Sequence, residues 1–121
     1  MELKFEKEVS DVRGKILFLS YGDKSLNVVE IKKGFSRGGH YHSFPTRHIL
    51  ISGAITYREK NLQTNQEVIK KITAPSIISV PSMVAHLLTA IDDAVFVEEF
   101  STKYSSTDYP EYRKIVTKDL T

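Results

Sequence analysis

Cysteine is absent from this 121-residue chain, which excludes disulfides, thiolate nucleophiles and thiolate metal sites. Long apolar runs are also missing, since none approaches the ~20 residues that a membrane-spanning helix needs. Residues 1–8 mix acidic and basic side chains where a signal peptide would need an apolar stretch. We therefore expect a cytoplasmic protein in which histidine, carboxylate or other oxygen ligands hold any metal.

An excess of charge of one sign is lacking too, because 17 Lys and Arg stand against 15 Asp and Glu, a net charge of +2. So small and evenly spread a charge argues against a nucleic-acid surface, and we expect neither a nucleic-acid nor a membrane partner. The length fits a single domain over residues 1–121 that can bury a real apolar core.

Short β-type runs separated by turn residues occupy most of the chain, and no helical period extends beyond roughly two turns. The predicted strands are 2–7, 15–21, 25–31, 46–52, 54–60, 67–72, 76–80, 85–90 and 94–100. This pattern is typical of an all-β sandwich or barrel of about eight to ten short antiparallel strands. We expect residues 1–10 to supply an edge strand, and the Tyr-rich tail 101–121 to pack on the barrel or at a dimer contact.

The histidines are the chemical signal in this sequence. His40 and His42 are two positions apart, so on a strand their side chains share one face. His48 follows closely, and His86 opens a later apolar segment. These imidazoles can converge on one ion or substrate; the alternative is that they are partly buried barrel residues satisfied by hydrogen bonds.

Two separated motifs resemble those of the cupin family. In the first, cupins have His-x-His, then a glutamate and a glycine; here His40 and His42 are followed at that spacing by Thr46 and Gly53. In the second, Pro81 and His86 have the family spacing, with Met83 and Ala90 in the glycine and asparagine positions. The resemblance covers roughly residues 11–100 and implies a jelly-roll β-barrel.

A narrower likeness involves three short segments, 11–16, 36–42 and 108–112. They are similar to segments of small cupins in nucleotide-sugar pathways, namely keto-sugar isomerases, 3,5-epimerases and the C-terminal cupin of capsular-polysaccharide enzymes. The resemblance implies that an arginine before His-x-His, here Arg37, helps to hold a nucleotide diphosphate. A guanidinium suits that role because it binds phosphate oxygens in a bidentate fork.

Thr46 departs from the family pattern, because cupins that hold a metal tightly have a carboxylate there. His48 lies two residues on and faces the same side of the strand, so it can replace that ligand. The predicted metal set is then His40, His42, His48 and His86, which suits a divalent Zn, Mn, Fe, Ni or Cu ion. The alternatives are that His48 only packs inward, or that the motif has lost its metal.

Four further residues are candidates for substrate contact or proton transfer. Arg37 and Arg47 are candidate substrate-binding cations, although either can be a solvated surface arginine. Tyr57 is a candidate general acid opposite a histidine base, or a half-buried strand aromatic. Glu98 is a candidate base or a partner of a histidine, since an inward glutamate must be paired in a barrel.

Two classes of function follow. The first is an isomerase or epimerase of a keto-sugar nucleotide, in which His40 or His42 abstracts a proton α to a carbonyl, without a metal. The second is a metal-dependent cupin with a four-histidine site, either a small oxygenase or a module that binds a metabolite. A third reading is an interaction domain without catalysis. We expect a small-molecule ligand, and a homodimer formed through residues 2–7 or the tail.

Overall fold

Antiparallel β-strands make up nearly all of the chain as far as residue 108. The structure is a computed structural model that describes residues 1–102, 104–118 and 120. Within these residues there are eleven strands and one helix: β1 (Leu3–Asp11), β2 (Gly14–Tyr21), β3 (Lys24–Ile31), β4 (Ser36–Tyr41), β5 (Thr46–Ser52), β6 (Ala54–Asn61), β7 (Glu67–Thr73), β8 (Ser76–Val80), β9 (Val84–Ala90), β10 (Ala94–Phe100), β11 (Thr107–Asp108) and α1 (Pro110–Lys118).

The strands form two sheets that face each other. One has six strands in the order β1-β2-β3-β10-β5-β8, and the other has five in the order β11-β4-β9-β6-β7. Every pairing is antiparallel, and neighbours in the sheets are often distant in sequence, as in a jelly roll. This confirms the predicted all-β barrel.

The apolar core lies between the two sheets. Its residues occupy alternate positions of the strands, as expected when one face of each sheet is buried. The fully or nearly fully buried members are Val29, Ile31, Leu50, Ile55, Tyr57, Ile78, Val80, Val84, Leu88, Ala90, Ala94 and Phe96. The histidines occupy one end of this same interior space.

Strand β9 is buried on both faces because helix α1 covers its outer side. Ala85 and Leu87 point outward and pack against Tyr112 and Val116 of the helix. The sequence shows no helical period beyond roughly two turns, and α1, with nine residues, was not among the predicted elements. Only two helical residues are buried, one turn apart, so the apolar period is too short to detect. Pro110 at the first helical position was the available signal.

Two residues of the tail form the short strand β11, which extends the five-stranded sheet. β11 pairs with β4 at Tyr41 and His40. Lys103, Asp119 and Thr121 of the predicted tail lie outside the described residues. No helix among those described is long and apolar enough to cross a membrane.

Candidate functional site

Two consecutive glycines position the first histidine. Gly38 and Gly39 have φ values of +98° and +78°, a region that favours glycine, and the β4–β9 register shifts between Gly38 and His40. A β-bulge of this kind turns the following side chain, and here it places His40 directly opposite His86 of β9. A Cβ at Gly38 would lie 2.8 Å from the carbonyl oxygen of His86, so the close approach of the two strands also needs glycine.

The structure brings three of the four histidines together. One ring nitrogen from each of His40, His42 and His86 lies within 4.8 Å of the other two. The ring centroids are 4.9 Å apart for His40 and both partners, and 5.4 Å apart for His42 and His86. His42 and His86 are buried, and His40 is half-buried beside a cavity.

Backbone carbonyls orient two of these rings. His42 Nδ1 lies 2.6 Å from the Ser105 carbonyl oxygen, and His86 Nδ1 lies 3.3 Å from that of Val84. A carbonyl can only accept, so each Nδ1 carries the hydrogen and each Nε2 keeps its lone pair. Metal-ligating histidines are commonly braced in this way through the other ring nitrogen.

The Nε2 atoms of His42 and His86 are buried and have no hydrogen-bond partner among the described residues. Leaving a buried acceptor unsatisfied costs about 1–3 kcal/mol. A metal ion bound at the three ring nitrogens would remove that cost for His42 and His86. The donor set therefore fits a divalent transition-metal ion.

Burial keeps these imidazoles neutral at physiological pH. It lowers the pKa of His40 and of His86 from 6.5 to about 3, with a smaller contribution from neighbouring histidines. It also lowers the pKa of His42, against the opposing effect of the Ser105 hydrogen bond. A neutral imidazole is the form that binds a metal, whereas a pKa near 3 makes His40 a weak general base at neutral pH.

The six-stranded sheet supplies the opposite wall. His48 is buried, with its ring centroid 5.2 Å from that of His86, and its Nε2 lies 3.7 Å from Glu98 Oε2. Burial raises the pKa of Glu98 to about 7, although the nearby Arg37 opposes the shift. His48 is not part of the ligand group formed by the three clustered histidines, so its role as a fourth ligand stays a prediction.

Two cavities adjoin the histidines. The smaller, of about 20 Å³, lies between the sheets and touches His40, His48, His86 and Glu98. The larger, of about 300 Å³, opens beside His40 and is lined by Arg13, Ile16, Phe18, Asn27, Arg37, Gly38, His40, Glu98, Tyr104, Ser106, Asp108 and Arg113. A cavity of this size accommodates a small molecule.

Comparison with solved structures identifies the fold. No protein-family model matches the chain, and no curated protein matches it. Capsular polysaccharide assembling protein CapF from Staphylococcus aureus superposes with a TM-score of 0.71 at 16% identity, over 87% of this chain and 30% of that protein. Bacillus subtilis oxalate decarboxylase superposes with a TM-score of 0.77 at 13% identity, over 94% of this chain and 34% of that protein. The fold is a cupin barrel.

This likeness shows the fold alone, because the identities are low. The chain spans about a third of the length of these proteins, from 30% to 34%. Another oxalate decarboxylase structure, with a TM-score of 0.76 at 16% identity over 95% of this chain and 34% of that protein, was reported for the Mn(II) centres of that enzyme.

Arg37 lines both cavities of the cupin barrel, but its guanidinium already has backbone partners. Its Nε donates to the Glu30 carbonyl at 3.0 Å and one Nη donates to the Gly14 carbonyl at 3.2 Å. These bonds anchor a nearly buried cation, only 7% exposed, in the wall beside His40. Its position is compatible with the predicted contact to an anionic substrate.

Arg47 and Tyr57 lie away from the cavity beside His40. Arg47 alternates with Thr46 and His48, so it points to the outer face, where its Nε donates to Glu99 Oε1 at 2.9 Å. Tyr57 is fully buried in the apolar core, and burial raises the pKa of its hydroxyl. It borders a different cavity, between β7 and β8. The structure thus does not bring either residue to the histidine cluster.

Several residues of the site had no signal in the sequence. Ser105 contributes only its backbone carbonyl, which any residue type can supply. Tyr104 places its ring 5.6 Å from that of His42, and Arg113 donates from Nη1 to the Gly38 carbonyl at 3.0 Å. All three belong to the tail, whose path over the barrel depends on the tertiary fold.

Proposed function

We propose that this protein is a metal-dependent cupin in which His40, His42 and His86 hold a divalent transition-metal ion. The observation that carries the proposal is the pair of buried Nε2 lone pairs on His42 and His86, which lack partners while their Nδ1 atoms are held by carbonyls. Three neutral imidazoles suit Zn, Mn, Fe, Ni or Cu. The Mn(II) centres of the structurally similar oxalate decarboxylase make Mn one of the ions to test first.

The cavity beside His40 would take the small-molecule ligand. When bound, the metal supplies Lewis acidity that polarises a ligand oxygen. Arg37 and Arg113 line this cavity and favour a ligand with a negative charge at that end. Glu98 Oε2 can accept or release a proton close to neutral pH, because its pKa is about 7.

A second candidate function is an isomerase or epimerase of a keto-sugar nucleotide. The position of Arg37 in the cavity wall favours it, as does the likeness to a capsular polysaccharide assembling protein. The low pKa of His40 weighs against that residue as the base. In this version Glu98 takes the proton, since a pKa of about 7 matches the working pH better.

Elemental analysis of untagged protein, after growth with added Mn, Zn, Fe or Ni, tests the first proposal. We expect near-stoichiometric metal in the wild type and its loss in His86→Ala. His48→Gln is the matched variant, because it changes a buried histidine outside the three-histidine group. Metal retained in His48→Gln supports three ligands, and metal lost there overturns that set in favour of four.

Folded wild-type protein that binds none of these ions would contradict metal dependence. In that case calorimetric titration with dTDP- and UDP-linked keto-sugars tests the second candidate. Binding that is lost in Arg37→Ala would support it, and the absence of any binding would count against it.

A further inference from the structure

A cavity separate from the histidine site lies at the seam where an edge of one sheet meets an edge of the other. β7 is an edge strand of the five-stranded sheet, and β8 is an edge strand of the six-stranded sheet. The cavity between these two strands has a volume of about 410 Å³. It shares no lining residue with either cavity beside the histidines, and we call it the seam cavity.

Three polar side chains line the seam cavity from the inner face of the five-stranded sheet. Tyr57 belongs to the apolar core, and Glu59 lies two residues further along the same strand, β6. Lys70 of β7 is directly opposite Tyr57 and alternates with Ile72, which packs against the core. Residues two apart on a strand share a face, so the phenol, the carboxylate and the ammonium group lie on one side of the sheet.

The hydroxyl of Tyr57 is a buried hydrogen-bond donor that lacks an acceptor. The side chain is fully buried, and its oxygen has no hydrogen-bond partner among the described residues. Burial and the nearby Glu59 carboxylate raise the pKa of this hydroxyl, so it keeps its proton at physiological pH. Buried polar groups are nearly always paired in folded proteins, so an unpaired donor at the border of a cavity indicates that a ligand binds there.

Lys70 and Glu59 bring opposite charges to the seam cavity without neutralising each other. They are diagonal neighbours on paired strands, a geometry in which long side chains of opposite charge can interact. Neither forms a salt bridge within the part of the chain that the structure describes. The cavity thus offers a cation and an anion that remain available to the two ends of one ligand.

We propose that the seam cavity binds a free amino acid with an aliphatic side chain. The ligand carboxylate would accept hydrogen bonds from the Lys70 ammonium and the Tyr57 hydroxyl, and the ligand ammonium would donate to Glu59. Hydrogen bonds of this charge-assisted kind are the strong ones. Ile72 and Ile78 line the same cavity and suit an aliphatic side chain. A simple anion would be repelled by the Glu59 carboxylate, and a simple amine would leave Lys70 and Tyr57 without an acceptor.

Calorimetric titration of the whole, chelator-treated chain with L-leucine tests this proposal. We expect one leucine to bind per chain. Isocaproate, which is leucine without the amine, and isopentylamine, which is leucine without the carboxylate, should each bind at least tenfold more weakly. Lys70→Gln and Glu59→Gln should each weaken leucine binding at least tenfold while they leave the circular dichroism spectrum unchanged. Tyr57→Phe keeps the buried ring and should weaken leucine binding about fivefold.

Lys71→Gln is the matched control. Lys71 also borders the cavity, but it alternates with Lys70 and pairs with Thr56 on the outer face of the sheet. The control should change the affinity for leucine less than about twofold, because an exposed charge outside the site contributes little. Equal losses in Lys70→Gln and Lys71→Gln would attribute the binding to general surface charge and would overturn the proposal.

Two other results would also overturn it. One is a wild type that binds none of leucine, valine and isoleucine at millimolar concentrations, and the other is isocaproate binding as tight as that of leucine. The outcome is independent of the metal proposal, because His86 lines neither the seam cavity nor its rim. His86→Ala should therefore bind leucine as the wild type does, and loss of binding in that variant would place the ligand at the histidines instead.

Discussion

The two sheets of this barrel differ in what they contribute inside and in what covers them outside. The five-stranded sheet carries His40 and His86 on paired strands, and the chain's own helix covers its outer face. The six-stranded sheet carries His48 and Glu98 inside, and no helix among the described residues covers its outer face. The candidate ligands thus lie on the sheet that is braced from behind, which helps to hold their geometry.

Helix α1 contacts the five-stranded sheet at the two glycines of the bulge, Gly38 and Gly39. Arg113 of α1 donates to the Gly38 carbonyl, and a Cβ at Gly39 would lie 2.9 Å from Arg113 Cδ. Tyr112 anchors the same helix by donating to Glu67 Oε2 at 2.7 Å. The inner walls also differ in charge behaviour: the histidines resist protonation, whereas Glu98 resists ionisation. The histidines and Glu98 should therefore respond to pH in opposite directions.

The largest effect should be a loss of stability in acid, caused by protonation of His40 and His86. A folded pKa of about 3 for His40 and His86, against an ordinary 6.5, gives stability that is complete above pH 6.5 and is lost as pH falls toward 3. Between pH 6.5 and about pH 5 the two histidines should together reduce the free energy of unfolding by on the order of 3 kcal/mol. Urea unfolding with a chelator present measures it, and the double variant His40→Gln/His86→Gln should show a clearly smaller loss. An equal loss in that variant would contradict the assignment.

Substitution in the bulge should come next. Gly38→Ala puts a Cβ 2.8 Å from the His86 carbonyl oxygen at a φ of +98°, and should reduce the free energy of unfolding by about 3 kcal/mol. It should also weaken metal binding, because it separates β4 from β9. Gly34→Ala is the control: its φ is +89°, but nothing lies within 4 Å of the added Cβ, so only backbone strain of about 1–2 kcal/mol remains. Equal losses in thermal or urea unfolding would show that the close approach is unimportant.

Ionisation of Glu98 at high pH should lower the stability of the protein. The folded pKa of Glu98 is raised from 4.5 to about 7, so its contribution to stability is complete below pH 4.5 and is lost as pH rises through 7. Glu98→Gln removes the ionisation and should stabilise the chelator-treated protein by about 2–3 kcal/mol near pH 9, relative to its effect near pH 5. Urea unfolding at both pH values measures the difference. A variant less stable than the wild type by the same amount at both would contradict the raised pKa.

The smallest effect should come from removing a hydrogen bond that holds helix α1 to the five-stranded sheet. Tyr112→Phe deletes the hydrogen bond to Glu67 but keeps the buried ring, and should reduce stability by about 1 kcal/mol. Thermal unfolding measures it. Tyr21→Phe, at a 43%-exposed position of the other sheet, is the control and should have no effect. A loss that is the same for both would argue against the tether.

The sequence predicted the histidine cluster because its spacing carries tertiary information. Positions two apart on a strand share a face, and His86 stands at the second motif's spacing, so the convergence of three imidazoles followed. The same alternation argues against Arg47 as a site residue, because Arg47 is out of phase with Thr46 and His48 and points to the opposite face. Tyr57 shows the limit of the method: alternation predicts an inward side chain but not how far along the barrel it lies.

The sequence by itself determined the succession of most strands along the chain and the spacing of the two histidine motifs. It did so because local periodicity specifies which side chains share a face. The tertiary structure alone decided three other features. It placed the Ser105 carbonyl on His42, it folded the tail into the helix behind β9, and it left the outer face of the six-stranded sheet without a covering helix among the described residues. Each depends on contacts between segments far apart in the chain, and no local pattern of residues encodes those distances.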